Sequence, residues 1–189
     1  MIKKILLAWL LMSAAFVQAA EYKIDTEGAH AFIQFRIKHL GYSWLYGRFD
    51  KFEGSFQYDA KQPNASTVSV TIDTNSLNSN HAERDKHLRD ERFFDVAKFP
   101  QASFVSKSFV SSADGMKGKL TGALTLKGIT KDIDIDVEVV GGGPDPWGGR
   151  RQGFTGKAEI VLKDFGFDFD LGPASAVAEV LLDVEGIKK

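Results

Sequence analysis

The sequence predicts an all-β fold: eight antiparallel strands forming a closed barrel or a sandwich, with one surface helix. Three observations predict it. Apolar and polar residues alternate with a period of two through most of the chain, turn signals separate the alternating runs, and a single charge-dense stretch without Gly or Pro interrupts them. Eight antiparallel strands can close on themselves and remove their edges, which leaves an interior either filled by side chains or holding one ligand.

Taken in order, Ile33, Phe35 and Ile37 face away from Gln34, Arg36 and Lys38, and Phe52, Phe56 and Tyr58 make a second set. Val68, Val70 and Ile72 alternate with Ser69 and Thr71, and a fourth run surrounds Phe104 from Gln101 to Val110. Leu120, Leu124 and Leu126 share a face. In the sixth run Ile133, Ile135, Val137 and Val139 alternate with Asp132, Asp134, Asp136 and Glu138, the pattern of a half-buried strand. Phe154, Ala158, Ile160 and Leu162 form the seventh, and Val180, Leu182 and Val184 the eighth. Turns are expected at Gly41, residues 60–64, Asp114-Gly115, Gly128 and the glycine-rich stretch 141–149.

The interrupting stretch, Asn80 to Phe94, predicts a helix from about His81 to Arg89. Asn80 and Glu83 have the spacing of a capping box. Only Ala82 and Leu88 are apolar within it, so the helix belongs on the surface or over an opening.

The N-terminus reads as an export signal occupying residues 1–19, followed by one domain over 20–189. Lys3 and Lys4 precede an apolar run from Ile5 to Val17, too short to span a bilayer, and Val17-Gln18-Ala19 suits a signal peptidase cutting before Ala20. Removing these residues takes the net charge from −1 to −3. An acidic product without clustered Lys/Arg argues against nucleic acid as a partner. The absence of Cys excludes disulfides, thiolate metal sites and Cys nucleophiles. A barrel embedded in an outer membrane is disfavoured by the helix between strands and by the Gly186-Ile-Lys-Lys189 terminus.

No hydrolase elbow, zinc-protease, P-loop or dinucleotide motif is present, so no catalytic residue and no metal ligand is assigned. His81 and His87 would point to different faces of the helix, and His30 and His39 to opposite sides of a strand. The acidic face of the sixth run reads as a solvated exterior rather than a calcium site. The fourteen Phe after residue 19 fall largely on the apolar faces. Such an interior suits a long apolar guest, although alternation leaves open whether it is full or hollow.

Tyr22-Lys-Ile-Asp25 and His30-Ala-Phe-Ile-Gln-Phe-Arg-Ile-Lys-His-Leu-Gly-Tyr-Ser-Trp-Leu-Tyr-Gly-Arg-Phe49 resemble the YceI-like family of bacterial periplasmic proteins. The resemblance continues through Asn80 to Arg89, Phe99 to Phe104, Gly122 to Lys131, Asp145 to Gly149, Leu162 to Gly166 and Asp170 to Ala174. It departs at Lys127 and Ile129, which flank Gly128 where the family favours Asn or His and Val. The resemblance implies a lipocalin-like eight-stranded barrel in the periplasm holding a polyisoprenoid or isoprenoid quinone without covalent chemistry, with a role linked to stress. It implies no other cofactor, and a carrier of this kind would make transient contact with a membrane or a membrane protein. Face alternation then selects Ile33, Phe35, Ile37, Phe104, Leu124, Leu126, Ile133, Ile135 and Val137 as ligand-binding wall. Arg84, His87 and Arg89 of the helix are the candidates for a phosphate or quinone head group. Two other readings compete: an enzyme on an apolar substrate using His30 or His39 with a neighbouring carboxylate, and a ligand-free stress protein packed solid.

Overall fold

The computed structural model describes residues 19–169 and 172–189, so all but the last residue of the expected export signal over 1–19 lies outside the described residues, as do Asp170 and Leu171. The described residues form an eight-stave antiparallel barrel in which every stave pairs with its neighbours in sequence. The first stave is broken into β1 (Ala20–Ile24) and β2 (Ala31–His39), and the second into β3 (Ser43–Phe49) and β4 (Phe52–Tyr58). β5 (Thr67–Asp73) follows, then the two-residue β6 (Leu77–Asn78), which pairs only with β3. β7 (Gln101–Ser111), β8 (Lys117–Leu126), β9 (Ile129–Pro144), β10 (Arg150–Val161) and β11 (Val177–Lys188) complete the circuit. Closure comes from both parts of the first stave against β11, with Tyr22 opposite Lys188 and Ile24 opposite Gly186 from β1, and Ala31 opposite Val184 through Ile37 opposite Ala178 from β2.

All eight alternating runs are strands, and the structure extends three of them. Ala20–Ile24 and Ser43–Phe49 lengthen the first two staves, and β9 continues through Gly141, Gly142 and Gly143 to Pro144, so the turn is only 145–149. The glycines obscure this extension in the sequence because they carry no side chain to alternate. The acidic residues of β9 do face outward: Asp132 pairs with Lys107, Asp136 with Lys119 and Glu138 with Lys117.

The turn at Lys127-Gly128 keeps the geometry of a two-residue hairpin, with φ of 51° and 73°. A left-handed lysine is unfavourable by itself. Here Lys127 is held by a hydrogen bond from Nζ to the Gly166 carbonyl (3.0 Å) and by the Phe167 ring, 4.7 Å from Nζ.

One seam departs from regular pairing. β9 and β10 pair from Pro144↔Arg150 to Asp136↔Lys157, with one bulge that skips Val140 between Gly153 and Phe154, and beyond that point Ile129–Ile135 and Ala158–Val161 have no mutual ladder. The connection that follows β10 borders this gap, with Phe165, 2 % exposed, packed against Ile160 and Phe167.

The two long connections, 74–100 and 162–176, and the β2–β3 turn all lie at one end of the barrel, the mouth. The helix α1 (Ala82–Arg89) belongs to the first of these. Its cap differs from the expected one: His81 is the N-cap, its Nδ1 accepting from Arg84 N–H at 3.2 Å, while Asn80 sits at φ 61°. An N-cap residue needs extended backbone, which His81 has and a left-handed Asn80 lacks. Asn80 instead makes the turn into the helix, a conformation Asn tolerates better than most residues. Glu83 and Asp85 in the first turn and Lys86, His87 and Arg89 in the last complement the helix dipole.

Candidate functional site

The interior is hollow. A cavity of about 1330 Å³ runs through the barrel, and every expected wall residue lines it: Ile33, Phe35, Ile37, Phe104, Leu124, Leu126, Ile133, Ile135 and Val137. Alternation placed these side chains correctly because a closed sheet leaves only two faces. The packed-solid alternative is therefore not what the chain forms.

What keeps the cavity open is a set of glycines that alternation does not reveal. Gly47 lies directly across from Phe35, and a Cβ there would meet the ring at 2.2 Å. Off the direct register, a Cβ on Gly118 would meet the Phe109 ring, one on Gly122 the Phe104 ring and one on Gly186 the Phe56 ring, at 2.3 to 2.4 Å. Each ring takes the space that a side chain on the glycine would occupy, while still lining the cavity. The sequence signal was available as glycines inside strands, which mark close approach of another group.

Aromatic residues close ranks at both ends. Tyr22 stacks on Phe56 with centroids 5.0 Å apart, and Phe154 meets Phe56 and Tyr58 edge-on, at the end away from the helix. At the mouth, Phe94 bridges Phe49 (5.7 Å) and Phe167 (5.2 Å), and Phe93 meets Phe169 (5.1 Å). Phe93, Phe94, Phe167 and Phe169 all line the cavity and were not selected from the sequence, since they lie on connections rather than on alternating strands.

Polar groups concentrate at the helix. Asp85, 8 % exposed, accepts hydrogen bonds from the Ser79 amide (2.8 Å) and hydroxyl. Arg84 donates from Nε to Ser79 Oγ at 2.7 Å and from its terminal nitrogen to the Ser79 carbonyl. Arg84 and His87 line the cavity as expected. Arg89 does not: its guanidinium donates to the carbonyls of Asn75 (2.9 Å) and Leu77, pinning the helix to β6 and through it to β3. The last turn of the helix points Arg89 down onto those unpaired carbonyls, away from the opening.

Among the described residues the cavity lining contains Arg48, Arg84, Arg92, His39 and His87 and no Asp or Glu. Arg48 is paired with Asp50 (2.6 Å) and Arg92 with Asp90 (3.0 Å), both outside the lining. Arg84 has no carboxylate partner among the described residues. The polar end of the cavity is thus cationic.

A second polar cluster lies outside the lumen, where β1 breaks from β2. Asp25 accepts from His30 Nδ1 (2.9 Å), from Arg151 (2.7 Å) and from the Gly28 amide (2.8 Å). Arg151 also bonds Glu185, and its Nε reaches Asp145 at 3.2 Å. The His30 hydrogen bond, aided by Arg151 and the Gly28 amide and opposed by burial, holds the Asp25 carboxyl at a pKa of about 2. The same acids raise that of Arg151. One oxygen or nitrogen each of Asp25, His30 and Glu185 lie within 4.8 Å of one another, the spacing of a cation site. The Arg151 guanidinium already reaches both carboxylates, supplying the positive charge that a metal would bring. Of the two histidines considered for catalysis, His30 has its carboxylate here, away from the cavity lining, while His39 lines the cavity.

Comparison with known proteins agrees with this architecture. Residues 22–186 match the YceI-like domain. A UPF0312 protein of Pseudomonas aeruginosa (strain LESB58) is 56 % identical over 193 residues, covering 100 % of both chains. The crystal structure of the Campylobacter jejuni YceI protein superposes with a TM-score of 0.72 at 32 % identity, covering 81 % of this chain and 90 % of that one. A polyisoprenoid binding domain from Saccharophagus degradans shares the fold with a TM-score of 0.67 at 17 % identity, over 90 % of this chain and 99 % of that one. With a matched domain that spans the whole barrel from β1 to β11, the chain belongs to the YceI-like domain family.

Proposed function

We propose that the protein is a periplasmic carrier that sequesters one long isoprenoid lipid, a polyisoprenoid or an isoprenoid quinone, inside the barrel and releases it without covalent chemistry. The observation that carries this reading is the lumen itself. Its volume exceeds the roughly 300–1,000 Å³ of pockets for drug-sized ligands, and its strands present branched aliphatic and aromatic side chains along its length. An isoprenoid tail is methyl-branched and almost devoid of hydrogen-bonding groups, so it matches such a wall. Each Å² of apolar surface withdrawn from water contributes roughly 25 cal/mol before the costs of association. The polyisoprenoid binding domain of S. degradans, built on the same fold, supports the choice of guest.

The cationic mouth supports a polar head group that accepts hydrogen bonds or carries negative charge. Arg84 is the residue we assign to it, with His87 beside it, because its charge has no carboxylate partner among the described residues. Export fits the start of the fold: β1 begins at Ala20, the residue expected to follow signal cleavage. A water-filled compartment between two membranes is where a very apolar lipid needs a shield, and a response to membrane stress is the setting in which such a shield is useful.

Native mass spectrometry of protein purified from its own periplasm, followed by organic extraction, tests the proposal. One isoprenoid lipid per barrel, on a chain starting at Ala20, is the expected result. Repeated recovery of lipid-free protein would overturn it, and turnover of the extracted lipid that His39→Ala abolishes would replace it with the enzymatic reading.

A further inference from the structure

The β2–β3 hairpin rises at the mouth and gathers exposed aromatic and aliphatic side chains at its tip. Its turn is made by Leu40 at φ 52° and Gly41 at φ 83°, closed by a hydrogen bond from the Tyr42 amide to the His39 carbonyl at 2.9 Å. Leu40 is 51 % exposed and Tyr42 86 %, and Tyr46 and Trp44 stand beside them at 50 % and 37 %. Bulky apolar groups gathered at one tip, rather than scattered singly, mark an interaction surface.

The hairpin is also one-signed. From Ala31 to Phe49 the chain contains Arg36, Lys38 and Arg48 and neither Asp nor Glu, in a protein whose net charge is −1. Arg36 lies 4.3 Å above the Trp44 ring and Lys38 5.5 Å from it. Glu179 of β11 and Asp50 neutralise Arg36 and Arg48, whereas Lys38 has no carboxylate partner among the described residues. Tyr and Trp flanked by Lys and Arg are the side chains that settle at a membrane–water interface, where an amphipathic ring and a cation both find partners. Basic residues near the surface add attraction to anionic lipids.

We infer that this hairpin docks the mouth of the barrel on the surface of an anionic phospholipid bilayer, with Leu40 and Tyr42 entering the interface and Lys38 meeting lipid phosphates. The geometry gives docking a purpose. Trp44 and Tyr46 stand on the outer face of the hairpin, and Leu45 between them, opposite Ile37, lines the cavity, so apolar side chains run from the tip to the lumen. A lipid tail leaving the bilayer beside them would enter the barrel along that surface instead of crossing open water. The inference rests on the carrier reading for this purpose, but the docking itself is measured independently.

The test is co-sedimentation of the purified full-length mature chain with vesicles of phosphatidylcholine, with and without phosphatidylglycerol. Binding to the mixed vesicles is expected, weaker on phosphatidylcholine alone. The double variant Leu40→Ser/Tyr42→Ser, at two exposed positions outside the cavity lining, is expected to lose at least about tenfold in affinity. Its melting temperature should be that of the parent. Lys38→Glu should abolish the preference for phosphatidylglycerol. Docking is overturned if the parent binds neither vesicle, or if the double variant binds as the parent does. Binding to native membranes that is lost after protease treatment, with none to protein-free vesicles, would overturn it in favour of a protein partner. Lipid recovered from the barrel in the absence of vesicle binding refutes docking alone, while vesicle binding by a barrel that never yields lipid leaves docking standing and refutes the carrier.

Discussion

The ring of Phe35 lies across Gly47, its direct partner on the next strand, so closely that no β-carbon fits between them. Gly47→Ala should therefore either push the ring into the lumen or part the strands. Overpacking of this kind costs about 1–3 kcal/mol, and the displaced ring should lower the amount of bound lipid as well. Gly143→Ala is the matched comparison, since a Cβ there meets nothing within 4 Å, and its effect should stay within about 0.5 kcal/mol. Urea denaturation and lipid extraction of the two variants read both quantities.

Acid should destabilise the barrel through Asp25. Its carboxyl titrates at about 2 in the fold and near 3.8 when free, so the folded state holds the ionised form more firmly than the unfolded chain does. The resulting stabilisation, roughly 2 kcal/mol, is fully present above pH 4 and is lost as the pH falls towards 2. Denaturation midpoints measured between pH 7 and 2 should fall more steeply for the parent than for Asp25→Asn. Equal slopes would show that this carboxyl is not the group responsible.

Neighbouring positions on facing strands separate lumen from exterior. Leu124 lines the cavity, whereas Val105 is 51 % exposed on the outer face. Leu124→Asp loses apolar contacts and places a carboxylate in a wall without hydrogen-bonding partners, at a cost of about 3 kcal/mol or more. Val105→Asp should change stability by about 0.5 kcal/mol or less and leave lipid content alone. Comparable loss of lipid in both would mean that the guest, if any, lies elsewhere.

The seam between β9 and β10 should be visible in hydrogen exchange. Amides of Ile129–Ile135 and Ala158–Val161 that point into the gap lack a ladder partner, unlike those from Asp136 to Pro144 and Arg150 to Lys157. Alternate amides of the first two segments should exchange faster than any in the paired region. Uniform protection along β9 would show that the strands zip up in solution.

Strand number and lumen-facing side chains were legible from alternation, because each strand of a closed sheet has one inner and one outer face. Ile133, Ile135 and Val137 could be assigned before any coordinate was known. Four features were hidden for physical reasons. Glycines at 141–143 continue a strand without a pattern to show it. Phe94 and Phe167 reach the cavity from connections, where no periodicity applies. Arg89 turns to backbone carbonyls that the sequence does not place near it, although Arg84, five residues earlier, was assigned correctly to the mouth. Hollowness was the hardest, since it depends on which glycine faces which phenylalanine across strands.

The pairing of β1 with β11 has a consequence in time. All other staves join a neighbour that is adjacent in sequence, so the sheet can grow as a meander. The last seam joins Tyr22 to Lys188, the first strand to the final one. Until β11 pairs with β1 and β2, the folding chain is an open sheet with two bare edges and an uncovered apolar face, the form most exposed to aggregation. Shutting the ring is the step at which a chaperone, or a lipid already lying on that face, would decide the outcome.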